Sequence, residues 1–338
     1  MIKYVPILRG KPGEFSALQN LEEQVINEIC PFIQFIPDTN PKRVGNYLDK
    51  LTVELANAWN FEGNLIYFDT SFLQDTPFIS ELIRKLEESE INFIPVIHPN
   101  STQGYLDLIR DRNNNGFCLR IKTPIYRPDK LIKTFDTILG KYDVKESEID
   151  LLIDLQYIDN EDNLAHYKRT FFRYYNFLTR PKRFRRIILG AGSFPVDINR
   201  FKVNRISRIP RIEGSLWNVV KHDLADTHLT YGDYGNIHPI YNPLSKVYEG
   251  SCSIKYTSDT EFFIFRGMKA SKVEEGSEQY HRKSKELISC PVYEGKDFSW
   301  GDEHIYKCAN REITSGNVGT WVKYTLNHHL MKILDLLE

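Results

Sequence analysis

Ionisable and amide side chains recur near the ends of short apolar runs along the first two-thirds of the chain. Arg9 follows YVPIL, Gln34 lies in CPFIQFIP, Asp69 in LIYFDTS, and His98 closes NFIPVIH. Arg120 and Lys122 sit in FCLRIKT, Asp154 and Gln156 in LLIDLQYI, Ser193 ends RIILGAGS, and Tyr231 with Asp233 lies in HLTYGDYG. Gathered in one place, this set has a definite chemistry. Asp69, His98, Asp154 and Asp233 are the candidate catalytic groups: they could supply an acid and a base, or hold a hard divalent cation. Arg9, Lys11, Arg120, Lys122, Gln156 and Ser193 are the candidate ligand-binding groups, the arginines able to grip phosphate or carboxylate bidentately. LGAGSFP offers backbone N–H groups suited to phosphate, although Gly-Ala-Gly is also an ordinary tight turn. A phosphoester or nucleotide suits the mixed charge best. The competing reading is a structural ion network that closes the top of a core, since arginine and lysine roughly balance aspartate.

Positioning these groups requires a sheet. The eight runs Tyr4–Gly10, Cys30–Pro37, Leu65–Ser71, Asn92–His98, Phe117–Thr123, Leu151–Ile158, Arg186–Ser193 and His228–Gly235 are rich in β-branched and aromatic residues. Helical patterns separate them: Ile79, Leu82, Ile83 and Leu86 form one stripe, and Leu131, Ile132, Phe135 and Ile138 another that stops at Gly140. Strand and helix alternating in this way mean a parallel sheet, and eight repeats point to a closed (β/α)8 barrel. An open doubly wound sheet is the alternative, disfavoured because the first strand lacks a GxGxxG turn. Strand parity then sends Arg9, Gln34, Asp69, His98, Arg120, Lys122, Asp154, Gln156, Ser193, Tyr231 and Asp233 to the interior, near the C-terminal ends where such barrels carry their sites.

Residues 1–236 are thus expected to form the barrel and 237–338 an α+β subdomain packed on it. CSIKYTS and EFFIFRG read as an antiparallel pair, Glu274–Ile288 as a polar helix, HIYKCA as a short strand, and Val318–Leu336 as a closing helix. In the subdomain, Arg266 or the FSWGDEH loop is expected to reach the barrel mouth, against the plainer reading of that loop as an Asp-capped turn. Asn327-His328-His329 suits packing or capping, because adjacent helical histidines point about 100° apart. Cys308 is expected to be an unreactive thiol in an apolar strand. RPKRFRR, Arg180–Arg186, reads as a solvated basic face at the barrel's opposite end.

The whole chain has 338 residues with 44 Lys+Arg against 45 Asp+Glu, a balance that argues against a direct, nonspecific nucleic-acid partner. No apolar run is long enough to span a bilayer, so no membrane partner is expected. Five scattered cysteines without a CxxC pair fit a reducing cytoplasm better than a disulfide scaffold or a zinc ribbon.

The segment YVPILRGKPGEFSALQNL resembles the opening of the beta protein family, in which a strand ends in a basic residue and a short Gly-Glu turn leads into a helix. The resemblance continues through GDYGNIHPIY, SIKYTSDTEFFIFRG and GNVGTWVKYTLNHHL, and is loose at EEGSEQYHRKSKELISC. It implies a barrel-like fold and carries no established catalytic residues. The family's occurrence in phages and beside mobile-element genes implies a role in phage exclusion or defence. The expectation is therefore a cytoplasmic protein of phage–host conflict whose barrel mouth binds a phosphorylated or nucleotide-like ligand, with hydrolysis within reach of its carboxylates. The alternative is a non-catalytic scaffold that binds a partner protein, such as an effector nuclease, through its aromatic C-terminal part.

Overall fold

In a computed structural model, the described residues are all those of the chain except 38–43, 60, 62, 74, 113, 126, 141, 143, 180–183, 225–227 and 242–249, together with the side chains of 44 and 45. Eight parallel strands close a barrel: β1 (Tyr4–Leu8), β2 (Phe32–Gln34), β3 (Leu65–Asp69), β4 (Asn92–Ile97), β5 (Phe117–Lys122), β6 (Ile149–Tyr157), β7 (Arg186–Gly192) and, after the inserted β8 (Ile206–Pro210), β9 (Leu229–Asp233). Closure is made by β1 and β9, with Tyr4 beside Tyr231, Val5 beside Gly232 and Pro6 beside Asp233. All eight sequence-derived strands are present. The fold is a (β/α)8 barrel.

The connecting helices are α1 (Pro12–Gln19), α2 (Glu23–Ile26), α3 (Val44–Trp59), α4 (Thr76–Glu88), α5 (Gln103–Leu108), α6 (Pro128–Leu139), α7 (Leu164–Thr179) and α8 (Ile212–Asp223). α4 and α6 each carry proline in their first turn, where the missing N–H is not needed. The stripe Ile79, Leu82, Ile83 and Leu86 is buried against the barrel, as its spacing requires. Gly140 ends α6 in a right-handed conformation, so no left-handed cap is used there.

The remaining chain forms β10 (Ser251–Thr257), β11 (Glu261–Lys269), α9 (Gln279–Ile288), α10 (Trp300–Ala309) and α11 (Val318–Leu337). β10 and β11 form the expected antiparallel pair, and β8 joins β11 on its other edge, Ile209 opposite Phe262. That third strand comes from within the barrel sequence, between β7 and α8. HIYKCA is a correction: it is the end of α10, with Ile305, Cys308 and Ala309 buried at helical spacing. Ser299 caps that helix, its hydroxyl accepting from Asp302 N at 3.1 Å.

α11 lies on the barrel's outer layer. Leu326, Leu330, Ile333 and Leu334 join the same core as Leu18, Leu55 and Tyr231. The Asn327 amide donates to the carbonyls of Ala17 (3.0 Å) and Asn20 (2.9 Å) in and after α1. The Gly-Glu turn explains how α11 fits. A Cβ on Gly13 would lie 3.1 Å from Val322 Cγ1 and 3.3 Å from the Gly319 carbonyl. The Glu14 carboxylate turns back to accept from the Arg9 and Lys11 N–H groups, each at 2.9 Å. One residue allows the helix approach and the next fixes the loop.

Candidate functional site

Inside the barrel the side chains form three tiers. The N-terminal tier is polar, where Asp150 meets Tyr67, Arg185 and Arg186. The middle is apolar, with Val5, Ile7, Phe32, Ile94, Val96, Cys118, Leu152 and Ile188 packed together. The C-terminal tier is polar again and holds Gln34, Asp69, His98, Arg120, Asp154 and Tyr234.

Arg120 is the hub of that upper tier. From β5 its Nε and Nη2 donate to Asp154 Oδ2 at 3.0 and 2.7 Å, while Nη1 donates to Asp69 Oδ2. Nη2 also reaches the Tyr234 hydroxyl at 2.9 Å, and that hydroxyl donates to Asp154 Oδ2 at 2.7 Å. With its carboxamide oxygen turned to the guanidinium, Gln34 accepts from Arg120 Nη1 at 2.6 Å and Nη2 at 3.2 Å. The guanidinium stacks 5.0 Å from the Phe32 ring. His98 Nε2 lies 2.9 Å from Asp69 Oδ1. Asp69, Arg120 and Asp154 are 0%, 1% and 0% exposed and are sealed from bulk water, while His98 at their edge keeps 8% of its surface exposed.

Charge and burial compete in this tier. Burial pushes the Asp69 carboxyl up, but His98 and Arg120 outweigh it and hold the group well below the usual carboxylate range. For Arg120 burial favours loss of the proton, yet Tyr234, Asp154 and Asp69 raise its pKa above the ordinary value. Lys122 is lowered by burial and by Arg120, and its Nζ has no ion-pair partner among the described residues. Its ammonium lies 5.3 Å from the Phe72 ring.

Both carboxylates also shape their own chain ends. Asp69 Oδ1 accepts from Ser71 N at 2.8 Å, and Asp154 Oδ1 accepts from Gln156 N at 2.9 Å. Gln156 has φ +58°, and the β6–β7 register slips between Asp154 and Tyr157. A bulge with a non-glycine residue in the left-handed region is a strained feature of the kind found beside sites.

The segment after β9 crosses the mouth. Arg9 Nη2 donates to the carbonyls of His238 and Pro239, and its guanidinium lies 5.2 Å from the Tyr241 ring. Tyr241 packs on Phe72 at 5.0 Å, and His238 on Tyr157 at 4.4 Å. A row of Arg9, Tyr241, Phe72 and Lys122 therefore runs over the polar tier. Beside it stand Lys11, exposed at the N-cap of α1, and Lys255, whose Nζ donates to the Asn236 carbonyl at 3.3 Å. Burial, then Arg9 and Lys11, push the Lys255 ammonium down to about 8.

Three expected members of the mouth, Asp233, Tyr231 and Ser193, lie elsewhere, Tyr231 packing outward on Trp217 of α8. Asp233 faces outward from β9, because Thr230, Gly232 and Tyr234 take the interior positions. It accepts from Tyr4 OH at 2.6 Å and Tyr231 OH at 3.1 Å, and lies 3.1 Å from His329 Nε2 of α11. Burial raises its pKa, but His329 and these donors bring it down to about 2. Ser193 also points away, donating to the Pro210 carbonyl at 2.9 Å. The Gly-Ala-Gly run is strand, not a phosphate loop: Gly190 pairs with Asp154 and Gly232, and a Cβ there would lie 2.8 Å from Leu152 Cδ1.

Tyr234 is the member that the sequence reading missed. Its signal was parity, obscured because β9 carries polar groups on both faces. A divalent cation does not suit the tier as it stands, since Arg120 occupies the space between the two carboxylates. Among the described residues no group of three or more His, Cys, Asp or Glu is placed to hold a metal.

His328 and His329 point apart, His328 Nδ1 to Asp302 Oδ2 (2.7 Å) and its Nε2 to the Thr257 carbonyl (2.8 Å). Asp302 also accepts from Tyr256 OH, which makes FSWGDEH a cap and an internal tie. Arg266 bonds the carbonyls of Asn199 and Phe201 rather than the polar tier. Cys308 is helical and does have a neighbouring base, His281 Nδ1 at 3.4 Å, but burial raises its thiol pKa. Of the basic run, Arg180–Arg183 lies outside the described residues, while Arg185 and Arg186 grip Asp150.

No helix among the described residues is long and apolar enough to cross a membrane. No curated protein matches the chain. The model of one family, described as Beta protein, matches residues 4–335, spanning the Gly-Glu turn, the Arg120 tier and α11 alike. The chain belongs to the Beta protein family.

Proposed function

We propose that the C-terminal mouth of the barrel binds a small phosphorylated or nucleotide-like anion, in a cytoplasmic protein of phage–host conflict. One observation carries the ligand class. Arg9, Lys11, Lys122 and Lys255 stand at this end, and none has an ion-pair partner among the described residues. Lys255 is buried beside Arg9 and Lys11, and burial first, then these two charges, lowers its titration to about 8. Like charges kept together at partly buried positions are stabilised by an anion that bridges them. Phe72, Tyr157 and Tyr241 add flat faces on which a base could stack. The Asp69–His98 pair would orient an imidazole able to take a proton from water, the step that hydrolysis would need.

The test is titration calorimetry with inorganic phosphate and with ADP, on the wild type and on Lys122→Ala and Lys255→Met. Each substitution should weaken binding about tenfold, the scale of one charge-assisted contact. Absence of saturable binding by both anions, or equal binding by the variants, refutes the reading. The scaffold reading draws its support from the completeness of the Arg120 network, whose groups bond one another as a structural core would. An anion-blind protein that still forms a discrete complex with a partner would establish it.

A further inference from the structure

We infer that the opposite, N-terminal end of the barrel holds a second and separate site, shaped for a small carboxylate with an apolar body. A cavity of about 230 Å³ opens there, walled by Ile2, Ile29, Leu65 and Ile94 and edged by Asn64 and Arg186. The charge is the first argument. Asp150 is fully buried and is shared by two guanidinium groups, Arg185 at 2.9 and 2.7 Å and Arg186 at 3.3 Å. One carboxylate against two arginines leaves a single positive charge at the cavity.

The donors are the second argument. Arg185 spends Nε and Nη2 on Asp150 and Nη1 on the Asn115 carbonyl. Arg186 uses Nη1 alone among the described residues, for the Tyr67 hydroxyl at 2.7 Å and for Asp150. Its Nε–Nη2 edge remains, and that edge is the planar fork that matches a carboxylate's two oxygens. Nearby, the buried Asn64 Nδ2 has no hydrogen-bond partner among the described residues. A buried amide donor left unpaired is costly, and an acceptor in the cavity would relieve it.

The class of ligand follows. One net charge and one free fork fit a monoanionic carboxylate, whereas a phosphate dianion would bring charge that nothing there balances. Apolar walls require an apolar body, of a size the cavity sets at small aromatic or branched aliphatic acids. The site is independent of the proposed mouth, since the apolar middle tier separates the two ends.

Benzoate is the probe, with benzyl alcohol as the neutral control and phenyl phosphate as the dianionic one. Calorimetry or saturation-transfer NMR should show saturable benzoate binding and no binding of the alcohol. Arg186→Lys keeps the charge but loses the fork and should weaken benzoate about tenfold, with Asn64→Leu weakening it several-fold. Lys122→Ala, at the mouth, should leave it unchanged. Four outcomes would overturn the inference: no benzoate binding, equal binding by Arg186→Lys and Asn64→Leu, tighter binding of phenyl phosphate, or loss of binding in Lys122→Ala. The Asn64→Leu arm stands even if Arg186→Lys folds poorly, because Asn64 Nδ2 bonds no other group among the described residues.

Discussion

Replacing Arg120 by methionine tests whether the upper tier is held by its charges. Methionine nearly fills the volume, so the loss is chiefly electrostatic. The substitution removes three bonds to carboxylates, one to Tyr234 and two to Gln34, and leaves Asp69 and Asp154 facing each other in a sealed space. Each ion pair is worth about 4 kcal/mol gross at an effective dielectric of 20. The desolvation already spent on Arg120 is recovered, which leaves a net cost of about 3–5 kcal/mol, the usual range for breaking a buried pair. The cost should depend on pH. In the wild type the Asp69 pKa lies below its unfolded value, so its contribution is full above about pH 4 and fades only at lower pH. Without Arg120 the two buried carboxylates repel each other, so neutralising one of them relieves the variant and it gains stability as pH falls. Urea unfolding at about pH 7.5 and about pH 5 should therefore show a deficit that narrows at the lower pH. The combined variant Asp69→Asn, Arg120→Met, Asp154→Asn should recover most of the loss. A single variant within about 1 kcal/mol of wild type at both pH values would show that this network adds no stability.

Three further outcomes are expected. Asp233 is depressed to about 2 in the folded state, so it stabilises above its unfolded pKa and the benefit disappears as pH falls from about 4 to 2, worth roughly 2–3 kcal/mol; Asp233→Asn should flatten that part of the acid-unfolding curve, and an unchanged slope would contradict the assignment. Gly301→Ala places a Cβ 2.1 Å from the Tyr324 carbonyl and should cost about 2–3 kcal/mol by forcing α10 from α11, a loss that thermal unfolding would miss only if the helices already part freely. Truncation after Asn236 strips β8 of its partner and uncovers the surface beneath α11, so light scattering should report aggregation, whereas a monodisperse, cooperatively folding fragment would refute the packing argument.

The barrel was legible because its strands are apolar on the helix-facing side and close in sequence order. Asp69, His98, Arg120 and Asp154 were placed correctly by parity, since Phe68, Ile97, Leu119 and Ile153 are unambiguous outward neighbours. Parity failed at β9, where Tyr231 and Asp233 are polar yet buried outside the barrel under α8 and α11. The inward Tyr234 was lost for the same reason. β8 escaped notice because only Ile209 among its residues is buried, so it carries no periodic signal. α10 was readable in principle: Ser299 and Asp302 form an N-terminal cap, and Ile305, Cys308 and Ala309 recur at helical spacing. Its β-branched and aromatic content suggested a strand, and spacing outweighs composition when the two disagree. The sequence favoured a site at the mouth, although an ion network and a binding pocket draw on the same residues.

The insertion of β8 has a consequence for synthesis. Its partner β11 follows some fifty residues later in the chain, since Pro210 pairs with Glu261. At about 5–20 residues per second the ribosome needs on the order of several seconds to deliver it. Through that interval β7 and β9 are available to close the barrel while the strand between them waits with an open edge. Its Arg208, with Arg205 just before the strand, suits that wait, because a short basic strand resists pairing with strangers. The nascent chain is thus expected to pass through a closed barrel with a dangling loop, which the later hairpin then captures.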